Sequence, residues 1–180
     1  MRAVVRPFLS VVFVAVLAAG GAPVAHGEPA RCLEPPVTAA IAERFREPAC
    51  PYCAGRRGIT FATRLGDPVR AVAAGSVTFS GVVAGTPYLV VAHDDGLLAT
   101  YGRIDRTWLR VGQRVRAGQL VAIAGRMPLY VGLRAAGRYI DPEPLLGTRR
   151  FPVRLVPTTG GRRPPAGPGQ LVCPMVRSSR

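Results

Sequence analysis

Two kinds of side chain here can do chemistry, the cysteines and a dense set of arginines. Cys50-Pro51-Tyr52-Cys53 has the spacing of a dithiol redox centre, or of half a zinc site. A redox dithiol sets its first thiol at a helix N-terminus, where free amides and the helix dipole lower the thiol pKa. Cys53 instead runs into Ala54-Gly55-Arg56-Arg57-Gly58, two glycines in five residues leading into a strand, which is no place for a helix to start. A structural zinc site takes four ligands, and the remaining candidates, Cys32, Cys173 and His93, are not paired at short spacing. The reading favoured over both is two disulfides, Cys50-Cys53 and Cys32-Cys173, as expected of an even cysteine count in an oxidising compartment. By chain-entropy arithmetic the second bridge contributes on the order of 4 kcal/mol, because it closes a very long loop.

Other nucleophiles and bases are scarce. The sequence has two histidines, His26 and His93, and His26 falls in an N-terminal stretch with the features of a secretion signal. Beyond that stretch the serines are Ser76, Ser80, Ser178 and Ser179, and none sits in a Gly-x-Ser-x-Gly elbow. All 24 basic residues are arginine. The absence of lysine excludes the biotinyl and lipoyl carrier domains, whose turn-and-strand pattern VGQRVRAGQLVAIAG otherwise resembles, since their cofactor is attached to a lysine.

The elements that position these residues follow from pattern. Residues 1–27 carry Arg2 and Arg6, an apolar run from about Phe8 to Ala19 and small residues before Gly27, which reads as a cleaved signal peptide. Residues 28–156 form the expected domain, and residues 157–180 a Pro/Gly/Arg-rich irregular tail pinned at Cys173. In VTAAIAERF the spacing of Val37, Ile41 and Phe45 fits one face of a short helix, in a stretch too short to exclude a strand. From Gly58 onward, short β-prone runs alternate with Gly, Pro and Asp, and Asp94-Asp95-Gly96 marks a hairpin turn. This pattern predicts an all-β domain, mainly antiparallel. The formal net charge of +14 favours polyanionic surroundings such as envelope polymers. No nucleic-acid-binding motif accompanies it.

The series Gly58 to Thr63, Gly66 to Ala71, AAGSVTFSGVVAG, VVAHDDGLLATYG, VGQRVRAGQLVAIAG, VGLR and Tyr139-Ile140-Asp141-Pro142 resembles the catalytic domain of the lysostaphin-like (LytM-type) zinc peptidoglycan endopeptidases, over roughly residues 37 to 156. The resemblance implies a core related to the barrel-sandwich hybrid, with a groove that carries zinc. It also implies where the chemistry sits. The family's His-x-Gly-x-Asp reads Arg56-Arg57-Gly58-Ile59-Thr60 here, and its His-x-His reads Pro128-Leu129-Tyr130. A further catalytic histidine, after the Tyr of a Tyr-x-His segment, falls at Arg103 in Tyr101-Gly102-Arg103. Arg56, Thr60, Arg103, Pro128 and Tyr130 are therefore former-site positions and groove candidates, with His93 a possible groove neighbour.

No catalytic residue, metal ligand or cofactor is expected to remain. The histidine count points the same way, since catalytic zinc takes about three protein ligands, nearly always including histidine. The expected protein is a degenerate, non-catalytic peptidase-like module, secreted to the extracytoplasmic cell envelope, that binds peptidoglycan or its stem peptides. The alternative is a docking regulator, an activator of separate cell-wall hydrolases. An active cell-wall metallopeptidase is the least favoured reading. The expected partners are peptidoglycan or a cell-wall hydrolase, with no nucleic acid, a membrane only transiently through the signal peptide, and a monomeric state.

Overall fold

In the computed structural model, residues 31–50, 52–152 and 169–174 are described. The expected signal segment, with His26, lies outside them, as do Ser178, Ser179 and the tail pair Arg162 and Arg163. The β-prone runs form β1 (Ile41–Glu43), β2 (Ile59–Phe61), β3 (Pro68–Arg70), β4 (Gly75–Val83), β5 (Thr86–His93), β6 (Leu97–Gly102) and β7 (Ile104–Arg106). They continue with β8 (Arg114–Val115), β9 (Leu120–Ala124), β10 (Leu129–Ala135), β11 (Arg138–Ile140), β12 (Thr148–Arg150) and β13 (Gln170–Val172). Among the described residues the only helical turn is a short 3-10 segment, Glu143–Leu145.

The main sheet has the order β1-β2-β10-β6-β5-β4-β8, with β11 on β10, and every pairing is antiparallel. A smaller sheet, β3-β9-β7, supplies Val69, Val121, Ala124 and Ile104 to the same core. Alternation sets which face is buried. Leu89 and Val91 on β5, Leu97, Ala99 and Tyr101 on β6, and Leu129, Val131 and Leu133 on β10 are all fully buried. Their intervening neighbours point the other way, as the period of two requires. The expected all-β, mainly antiparallel fold is the one observed.

The stretch around Val37 settles as extended chain. Burial alternates through Val37, Ala39, Ile41, Glu43 and Phe45, and Ile41 to Glu43 form the edge strand β1. The four-residue spacing of the apolar residues is compatible with a period of two as well as with a helix. Pro35, Pro36 and Pro48 bracket the stretch, and the open edge of β2 offers partners that a helix would leave unmet, as in the Ala62 N–H to Ala40 carbonyl bond of 2.9 Å.

Both disulfides are present, Cys32-Cys173 with Cα atoms 5.4 Å apart and Cys50-Cys53 with 4.9 Å. The tail is held by more than Cys173: Gln170–Val172 pairs with Thr148–Arg150, and Leu171 packs against Gly147. Leu33 bonds in parallel to Leu146 beside this bridge, so both ends of the described domain meet at one place.

Tyr101 ties the two sheets together. Its hydroxyl accepts the Val72 N–H at 2.9 Å in a site with no solvent access, and burial pushes the phenol above its ordinary range, so it stays neutral. Tyr101→Phe strands that amide donor and is expected to lower unfolding free energy by about 1–3 kcal/mol in chemical denaturation. A change below about 0.5 kcal/mol, the range of neutral surface substitutions, would contradict this role for the hydroxyl.

Candidate functional site

One row of the main sheet builds the site. Strand register places Glu43 opposite Thr60, Thr60 opposite Tyr130, Tyr130 opposite Gly102, and Gly102 opposite Tyr88. Residues directly opposed across an antiparallel sheet project from the same face, so these five positions share one side. The preceding row, Ile59, Val131, Tyr101 and Leu89, is core. The hydrophobic alternation that fills the interior therefore also aims Thr60 and Tyr130 outward into one cleft.

The cleft holds about 330 Å³ and is lined by Glu43, Arg56, Arg57, Thr60, Arg103 and Tyr130, with Gly55 and Gly58 in its wall. Four of the groove candidates thus meet in one place, Arg56, Thr60, Arg103 and Tyr130. Pro128 stands beside them, its carbonyl accepting a 3.4 Å bond from the Arg103 guanidinium. Glu43 was not singled out in the sequence. Alternation alone would put Glu43 on the same face as Ile41, which pairs with core Phe61; a register irregularity between Ile41 and Glu43 brings it opposite Thr60 instead, and no sequence signal marks that irregularity.

Tyr130 occupies the middle of the cleft, in a cradle that only glycine permits. A Cβ on Gly58 would lie 2.8 Å from its ring, one on Gly102 3.2 Å, and one on Gly132 2.6 Å from its hydroxyl oxygen. The hydroxyl donates to the Arg57 carbonyl at 3.0 Å. Its pKa is pushed up to about 12, first by burial and then by Tyr139 and Tyr88, against a smaller lowering by Arg57 and Arg103. A neutral phenol therefore fills this space at every physiological pH.

The charges follow a definite scheme. The Glu43 carboxylate meets the Arg56 guanidinium at 3.1 Å and accepts the Thr60 hydroxyl at 3.1 Å. Arg57 reaches the Cys53 carbonyl at 3.5 Å and lies 5.9 Å from the Tyr139 ring centre. Arg103 carries a positive φ of 64°, a conformation costing a non-glycine residue roughly 1–2 kcal/mol. Its N–H donates to the Pro87 carbonyl at 3.0 Å and its carbonyl accepts the Gly125 N–H at 3.1 Å, so both sides of the strained peptide are fixed. The lining thus sets three guanidinium groups against a single carboxylate.

This donor set does not fit a zinc ion. Zinc wants anionic or imidazole ligands converging at about 2 Å. Here the one carboxylate is shared by a guanidinium and a hydroxyl, the phenol is neutral, and the other charges are positive. Among the described residues, no group of three or more His, Cys, Asp or Glu side chains could hold a metal ion.

His93 is not part of the cleft. It lies five residues along β5 from Tyr88, roughly 17 Å at the rise of an extended strand. The Asp94-Asp95-Gly96 turn follows it, with Gly96 at φ 82°. His93 is buried, with Nδ1 3.0 Å from the Ala74 carbonyl and Nε2 without a hydrogen-bond partner among the described residues. A larger cleft of about 770 Å³ runs beside Val37, Pro68, Arg70 and Arg149, but Arg149 is tied to Glu34 at 2.7 Å and Arg70 to the Gly118 carbonyl at 3.0 Å. It carries less chemistry than the smaller cleft.

Residues 54–142 match Peptidase family M23. An uncharacterized protein of Mycobacterium tuberculosis is 32% identical over 158 residues, covering 79% of this chain and 61% of that protein. The chain therefore spans about three fifths of that relative's length. The murein hydrolase activator EnvC of Escherichia coli is 33% identical over 98 residues, covering 51% of this chain and 23% of EnvC. Among solved structures, a zinc-containing peptidase from Vibrio cholerae superposes with a TM-score of 0.50 at 28% identity, covering 57% of this chain and 35% of that one. These comparisons match the family named by the sequence motifs.

Burial dominates the titration of His93 and lowers its pKa below the ordinary 6.5, outweighing the Ala74 carbonyl, Asp95 and Asp94, which raise it. The unfolded chain then binds the proton more readily than the folded one. Stability is accordingly flat above the unfolded value and falls as pH drops through it. Denaturation midpoints should decline from about pH 7 to about pH 5, with a shallower decline in His93→Gln. Equal slopes for the two proteins would show that His93 does not carry the effect.

Proposed function

We propose that this protein is an exported, non-catalytic M23-type module that binds peptidoglycan through the carboxylates of its stem peptides. The observation that carries this reading is the cleft itself, where Tyr130 fills the centre and three guanidinium groups face one carboxylate. Binding outlasts the loss of chemistry where the walls keep their shape, because affinity comes from the walls. Guanidinium groups pair with carboxylates in bidentate fashion, and in a partly buried cleft such pairs are charge-assisted. Arg56 is engaged with Glu43, whereas the Arg103 guanidinium meets a neutral carbonyl, that of Pro128, and Arg103 is the residue assigned to the ligand. The fixed backbone at Arg103 sets the point at which its side chain leaves the chain beside the cleft.

Export is part of the proposal. It rests on the signal-like residues 1–27 and on two disulfides, which persist in oxidising compartments. A second reading is favoured by the similarity to the murein hydrolase activator EnvC: the filled cleft serves as a docking surface that activates a separate cell-wall hydrolase. Peptidase activity is the reading the site supports least, since the cleft offers neither a zinc donor set nor a histidine base.

The test is sedimentation of the oxidised protein with purified sacculi, with zinc supplied, assaying both phases for protein and for released wall fragments. The expected result is protein in the pellet and no fragments, with binding weakened about tenfold by Arg103→Gln, the loss of one charge-assisted hydrogen bond. Fragments in the supernatant would establish an active peptidase. Protein left in solution beside intact wall would reject wall binding in favour of the docking reading.

A further inference from the structure

Strand β4 has an open outer edge. On its inner side it pairs with β5 along its whole length, whereas on the outer side β8 covers only Gly75 and Ser76. Val77 bonds to Gly112 and Gln113 at 2.8 Å each, and beyond it no outward partner for β4 occurs among the described residues. The one irregularity of the β4–β5 register falls between Val77 and Phe79, so Phe79 to Val83 is regular strand. Phe79, Val82 and Val83 are 38%, 65% and 54% exposed.

Such an edge is ordinarily protected by a charge, a proline or a covering element, because it presents free N–H and C=O groups to any passing strand. Phe79 to Val83 has none of these. No charged residue occurs from Ala71 to Ala92, in a chain whose formal net charge is +14. Two copies of so basic a protein repel one another over most of their surfaces, and they approach at least cost where neither carries charge.

We infer that a second copy of this chain pairs with Phe79 to Val83, β4 against β4, about a two-fold axis at Gly81. Antiparallel pairing centred there is self-complementary, as a two-fold interface must be. Phe79 of each copy falls opposite Val83 of the other, giving an aromatic and β-branched pair twice, and Ser80 falls opposite Val82. Glycine at the centre leaves the close approach unobstructed, and the Phe79 ring already lies over Gly81 within its own chain. This pairing departs from the monomeric state expected from the sequence alone.

The pairing also has a geometric consequence. Gly81 stands opposite Tyr88, at the end of the row that runs through Gly102, Tyr130, Thr60 and Glu43. Joining two copies at Gly81 continues that row of positions from one sheet into the other, while the twist of the combined sheet turns one cleft away from the other. Any gain from carrying two clefts in one particle rests on the wall-binding reading. Dimerisation itself does not.

Sedimentation velocity of the oxidised protein without wall, from low micromolar to near-millimolar concentration, tests the inference. The weight-average mass should rise toward that of a dimer, and exchange of the outward-facing amides of Ser80 and Val82 should slow over the same range. Val82→Arg and Val83→Arg, at exposed positions, should keep their melting temperatures and associate roughly tenfold or more weakly, because the first sets two charges on either side of the axis and the second replaces the apolar partner of Phe79 with a charge. A monomer at every concentration overturns the inference, as does association undiminished in both variants. Slow exchange at Ser80 and Val82 without any change in mass also overturns it, since the edge would then be covered by the chain's own residues.

Discussion

Strand register across β1, β2, β10, β6 and β5 is the constraint on which the rest of this structure depends. It sets Ile59, Val131, Tyr101 and Leu89 in one row facing the interior and Thr60, Tyr130, Gly102 and Tyr88 in the next row facing out. A slip of one residue in any pairing would expose the apolar row and bury the polar one. Each large apolar side chain is worth about 1.5–3 kcal/mol when buried, so a four-residue row outweighs any single contact in the cleft. The cleft residues are positioned as a by-product of core formation, which is why their arrangement tolerates changes in their identity.

Within that frame the cleft is a problem of volume and charge. Three glycines leave a hollow in which a small ion with its ligands, or one aromatic ring, can sit, and Tyr130 takes the space as a neutral phenol. Around the ring, Arg56, Arg57 and Arg103 leave the pocket cationic, with Glu43 as the only balancing acid in its lining. The Glu43–Arg56 pair is partly exposed, so solvent screening keeps its contribution to stability small, and its effect is chiefly to fix the orientation of Arg56 and Thr60. An anionic ligand gains more from such a pocket than the fold does.

Much of this was legible in the residues, and the exceptions have physical causes. Short β-prone runs broken by Gly, Pro and Asp, the Asp94-Asp95-Gly96 turn and the ordered series of family-like segments led to the all-β fold, because each is a local signal in the chain. The grouping of Arg56, Thr60, Arg103 and Tyr130 was reached through the resemblance rather than through spacing, since strands distant in sequence bring them together. Glu43 was missed because Val37, Ile41 and Phe45 fit two periods at once, and because no sequence signal marks the register irregularity that brings it opposite Thr60. The clamp on Tyr130 was out of reach, since a glycine's lack of a side chain matters only when its neighbours in space are known. The tail was read as irregular from its composition, yet Gln170 to Val172 joins a strand pair beside the Cys32-Cys173 bridge, where tertiary contact overrides local preference.

The central claim is that the cleft around Tyr130 is a binding site for carboxylates rather than a metal centre. Its most direct test is a two-dimensional amide NMR titration with a soluble muropeptide bearing free stem-peptide carboxylates. The expected result is saturable shifts confined to Arg57, Thr60, Gly102, Arg103 and Tyr130, lost when the carboxylates are amidated. Shifts centred elsewhere, or none at a saturating concentration of the muropeptide, would contradict the account.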